Sequence, residues 1–169
     1  DAMGKSEDGY RTGDAVKLNE RGELIFLDRV KDLRKLSNGQ TYPPQFLENH
    51  LRSAAMVRDA IVIGDTTRDR IVALVNIDME IAGRFAERAG LAFGTFPELS
   101  QLAPVRAEIA KVIARINSIV DPGARISAFA NLPKELDADE EELTRSRKLR
   151  RGAIEGKYAN LIEGLYGTD

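Results

Sequence analysis

Residues 57–77 read VRDAIVIGDTTRDRIVALVNI, and they form the centre of the predicted fold. Its two ends, residues 57–64 and 70–77, are rich in β-branched side chains, whereas residues 65–69 between them are polar. Two such runs joined by a short polar loop predict a pair of antiparallel strands. Four small or branched residues are expected to fill one side of this pair: Ala60, Val62, Ala73 and Val75.

Helical patterns flank the strand pair on both sides. The Pro43-Pro44 pair opens a helix, because proline is tolerated in a first turn, and the apolar residues that follow share one face with His50. Downstream we predict helices over residues 79–89, 105–120 and 154–165, a linker through Pro97, and a short strand over residues 126–132. This order predicts an α+β fold in which an antiparallel sheet is flanked by helices.

The N-terminal part of the chain has a different organisation. Residues 15–18 and 24–27 are apolar or alternating, and Asn19-Glu20-Arg21-Gly22 between them is a turn sequence, so residues 14–28 predict a β-hairpin. The charged run Asp28-Arg29-Val30-Lys31-Asp32 then interrupts the apolar pattern. We therefore predict a domain boundary or hinge there, within residues 29–34, and interpret Asp28 and Asp32 as solvated charges.

The composition is that of a globular protein with a core. The chain has 169 residues, of which 43% are hydrophobic and 31% charged, and its net charge is −2. No overall field would draw such a molecule to nucleic acid or to an anionic membrane, so no nucleic-acid partner is predicted. The absence of cysteine fits a reducing compartment, which favours a cytoplasmic location, and no apolar run approaches the roughly 20 residues of a membrane span.

Metal and thiol chemistry find few candidate residues. With no cysteine and a single histidine, His50, a standard zinc site or a thiol nucleophile is excluded. Residues 134–142 are acidic, but the glycine that turns a calcium loop is missing, so we interpret them as a solvated loop. No metal site is predicted, and His50 is interpreted as a surface or half-buried helix residue.

Four segments stand out in order along the chain. They are GYRTGD at residues 9–14, LDRVKD at 27–32, LSNG at 36–39 and the basic run LTRSRKLRR at 143–151. Each alone also fits a plain turn or a solvated charge cluster. Together, in this order and spacing, they resemble the adenylate-forming superfamily of acyl-CoA synthetases, adenylation domains and luciferases, and most of all its long-chain fatty acyl-CoA ligase branch.

The resemblance implies roles for particular residues. Asp14 matches the aspartate that accepts hydrogen bonds from the nucleotide ribose, a task that suits a carboxylate because it can accept from two hydroxyls at once. Arg29 matches the arginine that also faces the nucleotide. Lys31 lies where the family places its hinge residue, and an exposed residue between domains can change its backbone angles without disturbing a core.

Two further segments would serve the two half-reactions. Ser37, Asn38 and Gly39 resemble the loop that approaches the thiol arm of coenzyme A, where glycine permits close backbone approach. Lys148 resembles the catalytic lysine that reaches the substrate carboxylate and the α-phosphate. A cation there would stabilise the charge that develops when one anion attacks another.

The sequence departs from the family around that lysine. Long-chain members usually have a Thr-Pro-Thr-Leu-Lys run, whereas this chain has Thr144-Arg145-Ser146-Arg147-Lys148. The proline is lost and arginines are added, which puts the conformation of the loop in question. The neighbouring arginines of residues 145–151 are interpreted as a solvated face.

The resemblance implies a fragment of a larger ligase. Residues 1–28 would be the tail of the large N-terminal domain, 29–34 the hinge and 35–169 the small mobile domain. The parent would use ATP, magnesium and coenzyme A to activate a fatty acid, with membrane association of the parent left open, and this chain alone would be inactive. The alternatives are an adenylating enzyme that loads a carrier protein and a non-catalytic module that binds nucleotide or coenzyme A.

Overall fold

The computed structural model describes residues 12–167 and, before them, only the backbone of Lys5–Ser6 (β1) and Gly9–Tyr10 (β2), which pair antiparallel. The side chains of the first three residues of the 9–14 motif therefore lie outside the described residues. The predicted hairpin is confirmed, with Asp14–Leu18 (β3) paired to Leu24–Arg29 (β4). Its turn is closed by Asn19, whose side-chain oxygen accepts from the backbone N–H groups of Arg21 and Glu23 at 2.9 Å each.

A short connection leads from the hairpin to the first helix. It consists of a 3-10 turn over Val30–Asp32 and a small antiparallel pair, Arg34–Lys35 (β5) with Thr41–Tyr42 (β6). Helix α1 then spans Pro44–Arg52 with proline in its first turn, as the sequence predicts. Its apolar face is buried, and His50 is half-buried at its edge.

Asp28 corrects the interpretation of the charged run. It is only 1% exposed rather than solvated, and its carboxylate accepts from the N–H groups of Arg29 at 2.8 Å and Gln45 at 3.1 Å. Gln45 lies in the first turn of α1, where N–H groups lack helical partners, and Pro43 at the N-cap has no side-chain oxygen to offer them. Asp28 supplies this missing cap from a distance.

The central sheet has three strands in the order β7-β8-β9, formed by Val57–Ile63, Ile71–Ile77 and Ile126–Asn131. The predicted pair β7–β8 is antiparallel, with Ala60 opposite Val75 and Val62 opposite Ala73. The prediction of a wholly antiparallel sheet is wrong, because β9 runs parallel to β8. Helices connect β8 to β9, and this long crossover returns the chain to the end of the sheet at which β8 begins, so that β9 runs in the same direction as β8.

Five α-helices and a 3-10 turn over Pro122–Ala124 complete the described part of the chain. The helices are α2 over Met79–Arg88, α3 over Phe96–Gln101, α4 over Ala103–Ile119, α5 over Arg151–Lys157 and α6 over Ala159–Gly167. Helix α3 was not predicted, because its region was assigned to a linker; it begins with a capping box between Thr95 and Glu98. The prediction of one continuous last helix over residues 154–165 was also wrong. It is two helices separated at Tyr158, whose backbone (φ −102°, ψ 21°) departs from helical values.

Each face of the sheet covers its own core. The larger core includes the side predicted to be filled by Ala60, Val62, Ala73 and Val75, and it packs against α1, α2 and α4. The smaller core takes the opposite side chains of β7 and β8 and packs against Leu136, Leu143 and the α5–α6 pair. Strand β8 is consequently buried along its whole length. Within the described residues, no helix is both long and apolar enough to cross a membrane.

Candidate functional site

The structure brings the two predicted nucleotide-facing residues together. Asp14 and Arg29 lie opposite each other at the open end of the hairpin, and Arg29 Nε is 3.3 Å from Asp14 Oδ1. The N–H of Val30 donates to the carbonyl of Gly13 at 2.8 Å, and Gly13 takes a positive φ of 78° that suits glycine. The pair is a partly exposed carboxylate and an exposed guanidinium, both accessible to a ligand.

Lys31 lies exposed in the 3-10 turn that follows the hairpin. The turn joins β4 to β5, so a change in its backbone angles would reorient everything that follows it. Its role as a hinge stays a prediction.

The loop of residues 37–39 is exposed but well fixed. The Ser37 N–H donates to the carbonyl of Arg68 at 2.8 Å, and the Asn38 side-chain amide donates to the carbonyl of Asp69 at 3.3 Å. Gly39 has a φ of 86°, a conformation that glycine adopts without strain. The loop is thus docked on the connection between β7 and β8, with its tip open to solvent.

Lys148 lies on a small hairpin. Leu143 and Leu149 form its base as an isolated antiparallel bridge, and the Thr144 N–H donates to the Lys148 carbonyl at 2.8 Å. The Arg147 N–H donates to the Thr144 carbonyl at 2.8 Å, and Arg147 takes a positive φ of 58°. This is the bonding pattern of a three-residue hairpin loop that closes on a left-handed residue.

The departure from the family sequence therefore still gives a closed loop. The Thr144 hydroxyl accepts from the Lys148 N–H at 2.9 Å and is 3.0 Å from the Ser146 hydroxyl, which holds the loop without proline. The Lys148 side chain is exposed, and its ammonium has no hydrogen-bond or ion-pair partner among residues 12–167. It is available to an anionic ligand.

The Lys148 hairpin and the 37–39 loop are held by different parts of the chain. Burial raises the pKa of Asp59, near the start of β7, and the charges of Arg147, Arg52 and Arg58 oppose that rise. The base of the hairpin is held by the Glu142 carbonyl, which accepts from the Arg150 N–H at 2.9 Å. The 37–39 loop instead contacts the connection that follows the end of the strand. The two segments share no hydrogen bond or ion pair within residues 12–167, whereas Asp14 and Arg29 are in contact.

Glu142 corrects the interpretation of the acidic loop. Asp137, Asp139 and Glu141 are exposed as predicted, but Glu142 is fully buried. Its carboxylate accepts from the Asp137 N–H at 2.8 Å and the Tyr158 hydroxyl at 3.1 Å, and it lies 2.8 Å from the Lys157 ammonium. Sequence reasoning missed it because two of these partners, Lys157 and Tyr158, come from the α5–α6 junction, which no local pattern reveals.

Arg151 is not part of a solvated face either. It is half-buried, donates to the carbonyl of Val62 at 2.8 Å and forms an ion pair with Glu48, which is 5% exposed. Glu48 also accepts from the Val62 N–H at 3.0 Å. The pair therefore joins α1, β7 and α5, while Arg145, Arg147 and Arg150 are exposed.

His50 and the acidic side chains form no metal centre in the described part of the chain. The His50 ring nitrogen Nδ1 lies 2.8 Å from the carbonyl of Phe46 on the preceding helical turn. No group of three or more histidine, cysteine, aspartate or glutamate side chains there is arranged to hold a metal ion.

Comparison with known proteins identifies the family. Residues 31–169 match the family model of the AMP-binding enzyme C-terminal domain, and the chain belongs to this family. It is similar to the long-chain-fatty-acid–CoA ligase FadD15 of Mycobacterium tuberculosis, with 30% identity over 95% of this chain and 27% of the relative. It is also similar to long-chain-fatty-acid–CoA ligase 1 of Homo sapiens, with 27% identity over 96% of this chain and 24% of the relative.

The chain spans about a quarter of the length of these relatives. Among solved structures it resembles the adenylation domain of the carboxylate reductase from Mycobacterium chelonae, with a TM-score of 0.64 and 24% identity over 95% of this chain and 24% of that one. Apo MatB from Rhodopseudomonas palustris gives a TM-score of 0.54 and 19% identity over 92% of this chain and 26% of that one. These neighbours show the same fold and confirm the α+β class of an adenylate-forming C-terminal domain.

Proposed function

We propose that this chain is the C-terminal part of an AMP-forming ligase that activates a long-chain fatty acid with ATP and transfers it to coenzyme A. The observation that carries the proposal is the free, exposed ammonium of Lys148, the residue that follows the three-residue loop of a closed hairpin. Family membership and relatives named as long-chain-fatty-acid–CoA ligases support this reaction. Magnesium would enter with ATP as part of the substrate.

Lys148 would serve the first half-reaction. The fatty acid carboxylate attacks the α-phosphorus of ATP, the acyl-adenylate forms, and pyrophosphate leaves. Two anions approach each other in this step, so a cation placed beside them stabilises the transition state more than the separated reactants. Lys148 is suited to this because no carboxylate in residues 12–167 already neutralises it.

The 37–39 loop would serve the second half-reaction. There the sulfur of coenzyme A attacks the acyl carbonyl and AMP leaves. The loop and the Lys148 hairpin are held by different parts of the domain. One orientation of the domain would therefore present the hairpin to the active site, and a second orientation would present the loop. Rotation about Lys31 would exchange them, as lid motions do in other enzymes.

Asp14 and Arg29 would hold the nucleotide. The Asp14 carboxylate can accept from two neighbouring ribose hydroxyls, and the guanidinium beside it keeps the carboxylate in place. Because the pair precedes Lys31, it would stay with the nucleotide during the rotation.

The test is pyrophosphate release by the full-length protein, with a fatty acid as substrate. We expect Lys148→Ala to lower the rate of adenylation roughly 10²-fold or more, the loss typical for a removed transition-state donor. Arg145→Ala is the matched control, because it removes an exposed cation from the same loop, and its rate should stay within about twofold. Thioester formation from pre-formed acyl-adenylate should be unchanged by either variant.

Three results would contradict parts of the proposal. Equal adenylation rates for Lys148→Ala and the wild type would remove the lysine from the reaction. No pyrophosphate release with any carboxylic acid would favour a non-catalytic binding module. If adenylation proceeds but only a carrier protein accepts the acyl group, the acceptor in the proposal is wrong.

A further inference from the structure

The Lys148 hairpin grows directly out of the buried Glu142. The Glu142 carbonyl accepts from the Arg150 N–H at 2.9 Å, and the adjacent Leu143–Leu149 bridge closes the base of the hairpin. Leu143 is itself only 4% exposed, so the hairpin leaves the core at this point. Contacts that hold Glu142 in place therefore also hold the base of the hairpin, which is called its foot below.

The Glu142 carboxylate is held from three sides. The Asp137 N–H donates to one oxygen, while the Tyr158 hydroxyl and the Lys157 ammonium contact the other. A buried carboxylate without donors would be strongly unfavourable, so these three contacts act together to keep Glu142 in one position. They tie the foot of the hairpin to the junction of α5 and α6.

Charge complementarity supports this arrangement. Burial raises the pKa of Glu142, but the contacts with Lys157, Asp137 and Tyr158 lower it by more in total, so the group is ionised at neutral pH. Hydrogen bonds to Glu140 and Glu142 raise the pKa of Lys157, which keeps the ammonium charged.

We propose that Glu142 is a positioning residue for Lys148, acting on adenylation through the foot of the hairpin and not by contact with the substrate. The inference rests on the proposed function. A displacement of about 1 Å of a catalytic group is enough to lower a rate roughly 10²-fold. A side chain that anchors the hairpin six positions before Lys148 therefore sets the efficiency of that lysine without touching the reaction.

The isosteric variant Glu142→Gln tests this in the full-length protein. An amide offers one acceptor oxygen and one NH₂ group, so it cannot accept from both sides as the carboxylate does. We expect adenylation to fall about 10-fold, with KM for ATP changed less than threefold. Thioester formation from pre-formed acyl-adenylate should stay within about twofold, because the hairpin serves only the first step.

Glu140→Gln is the matched control. Glu140 contacts the same Lys157 and also Lys134, but it is exposed and makes no bond of its own to Glu142 or to the hairpin. Its adenylation rate should stay within about twofold of the wild type. A second readout uses the present chain: trypsin should cut after Arg145 and Arg147 several-fold faster in Glu142→Gln than in Glu140→Gln.

The outcomes separate this inference from the proposed function. If Lys148→Ala abolishes adenylation while Glu142→Gln matches Glu140→Gln in both readouts, Glu142 has no positioning role and the ligase stands. Equal losses in both half-reactions would mean a general folding defect and would also overturn the inference. If Lys148→Ala is neutral, the proposed role of the lysine fails, and with it the inference, whatever trypsin shows.

A milder variant guards against loss of folding. Tyr158→Phe removes only the hydroxyl donor to Glu142, and we expect a loss in adenylation of about threefold with the second half-reaction intact. If Glu142→Gln does not fold and Tyr158→Phe leaves the ratio of the two half-reactions unchanged, the inference is wrong.

Discussion

Arg147 holds a backbone conformation that side chains rarely adopt. Its φ of 58° lies in the left-handed region, where residues with a Cβ are strained by roughly 1–2 kcal/mol. We expect Arg147→Gly to raise the free energy of unfolding by up to about 1 kcal/mol, because relief of strain exceeds the entropy that glycine adds to the unfolded chain. Urea denaturation of the two proteins measures the difference.

Arg145→Gly is the control for that substitution. Arg145 is exposed in the same loop but is not in the left-handed region, so glycine there should lower the free energy of unfolding by about 0.5–1 kcal/mol. Equal effects of the two glycines would mean that the loop is not closed as described.

The sequence predicted some of the important side chains but not the burial of others. Asp14 and Arg29 were singled out by motif, and the hairpin that pairs them was readable from alternation and turn residues. The burial of Asp28 and Glu142 was not readable, because their partners are a helix N-terminus and a helix junction far along the chain. When an acidic residue lies in a charged run, the neighbouring sequence does not indicate that its carboxylate is buried and bonded within the fold.

The ion pair between Glu48 and Arg151 connects three elements. Arg151→Ala would leave the buried Glu48 carboxylate without its cation, and we expect a loss of about 2 kcal/mol in the free energy of unfolding, less than for a fully buried pair because Arg151 is partly exposed. Arg150→Ala is the neighbouring control: its 4.0 Å pair with Glu141 is exposed, so the loss should stay within about 0.5 kcal/mol. Chemical denaturation distinguishes them, and equal losses would contradict the pairing.

Helices and strands were predicted best where the pattern was long. Strands β7 and β8 and helix α4 each carry a clear apolar period, and all three were found. Helix α3 was missed although Thr95-Phe96-Pro97-Glu98 has the form of a capping box, a signal that the sequence offered. The direction of β9 was not available from its own residues, because it depends on how the preceding helices fold back.

The domain boundary predicted within residues 29–34 can be tested by removing the hairpin that precedes it. The buried members of both cores lie between Leu36 and Ile162, and the hairpin adds only the partly buried Leu27. We therefore expect residues 33–167 to unfold cooperatively on their own. The free energy of unfolding should fall by about 1–2 kcal/mol, mainly through loss of the Asp28 cap on α1.

Circular dichroism during urea unfolding measures this, and Asp28→Ala in the whole chain should reproduce most of the loss. A broad, non-cooperative transition for residues 33–167 would place the hairpin inside the domain and contradict the boundary. Residues 12–32 alone should be unfolded, since an isolated two-stranded hairpin is marginal in water.

The parallel pairing of β9 affects how the molecule is assembled. Only residues 64–70 separate β7 from β8, whereas residues 78–125 separate β8 from β9. Because the entropy lost on closing a loop grows with the logarithm of its length, bringing β9 to β8 costs roughly 2 kcal/mol more than closing the β7–β8 pair. We therefore expect the two-stranded pair to form before β9 joins it, and both cores, to which β9 contributes Ile126 and Ala130, to be completed only after that step.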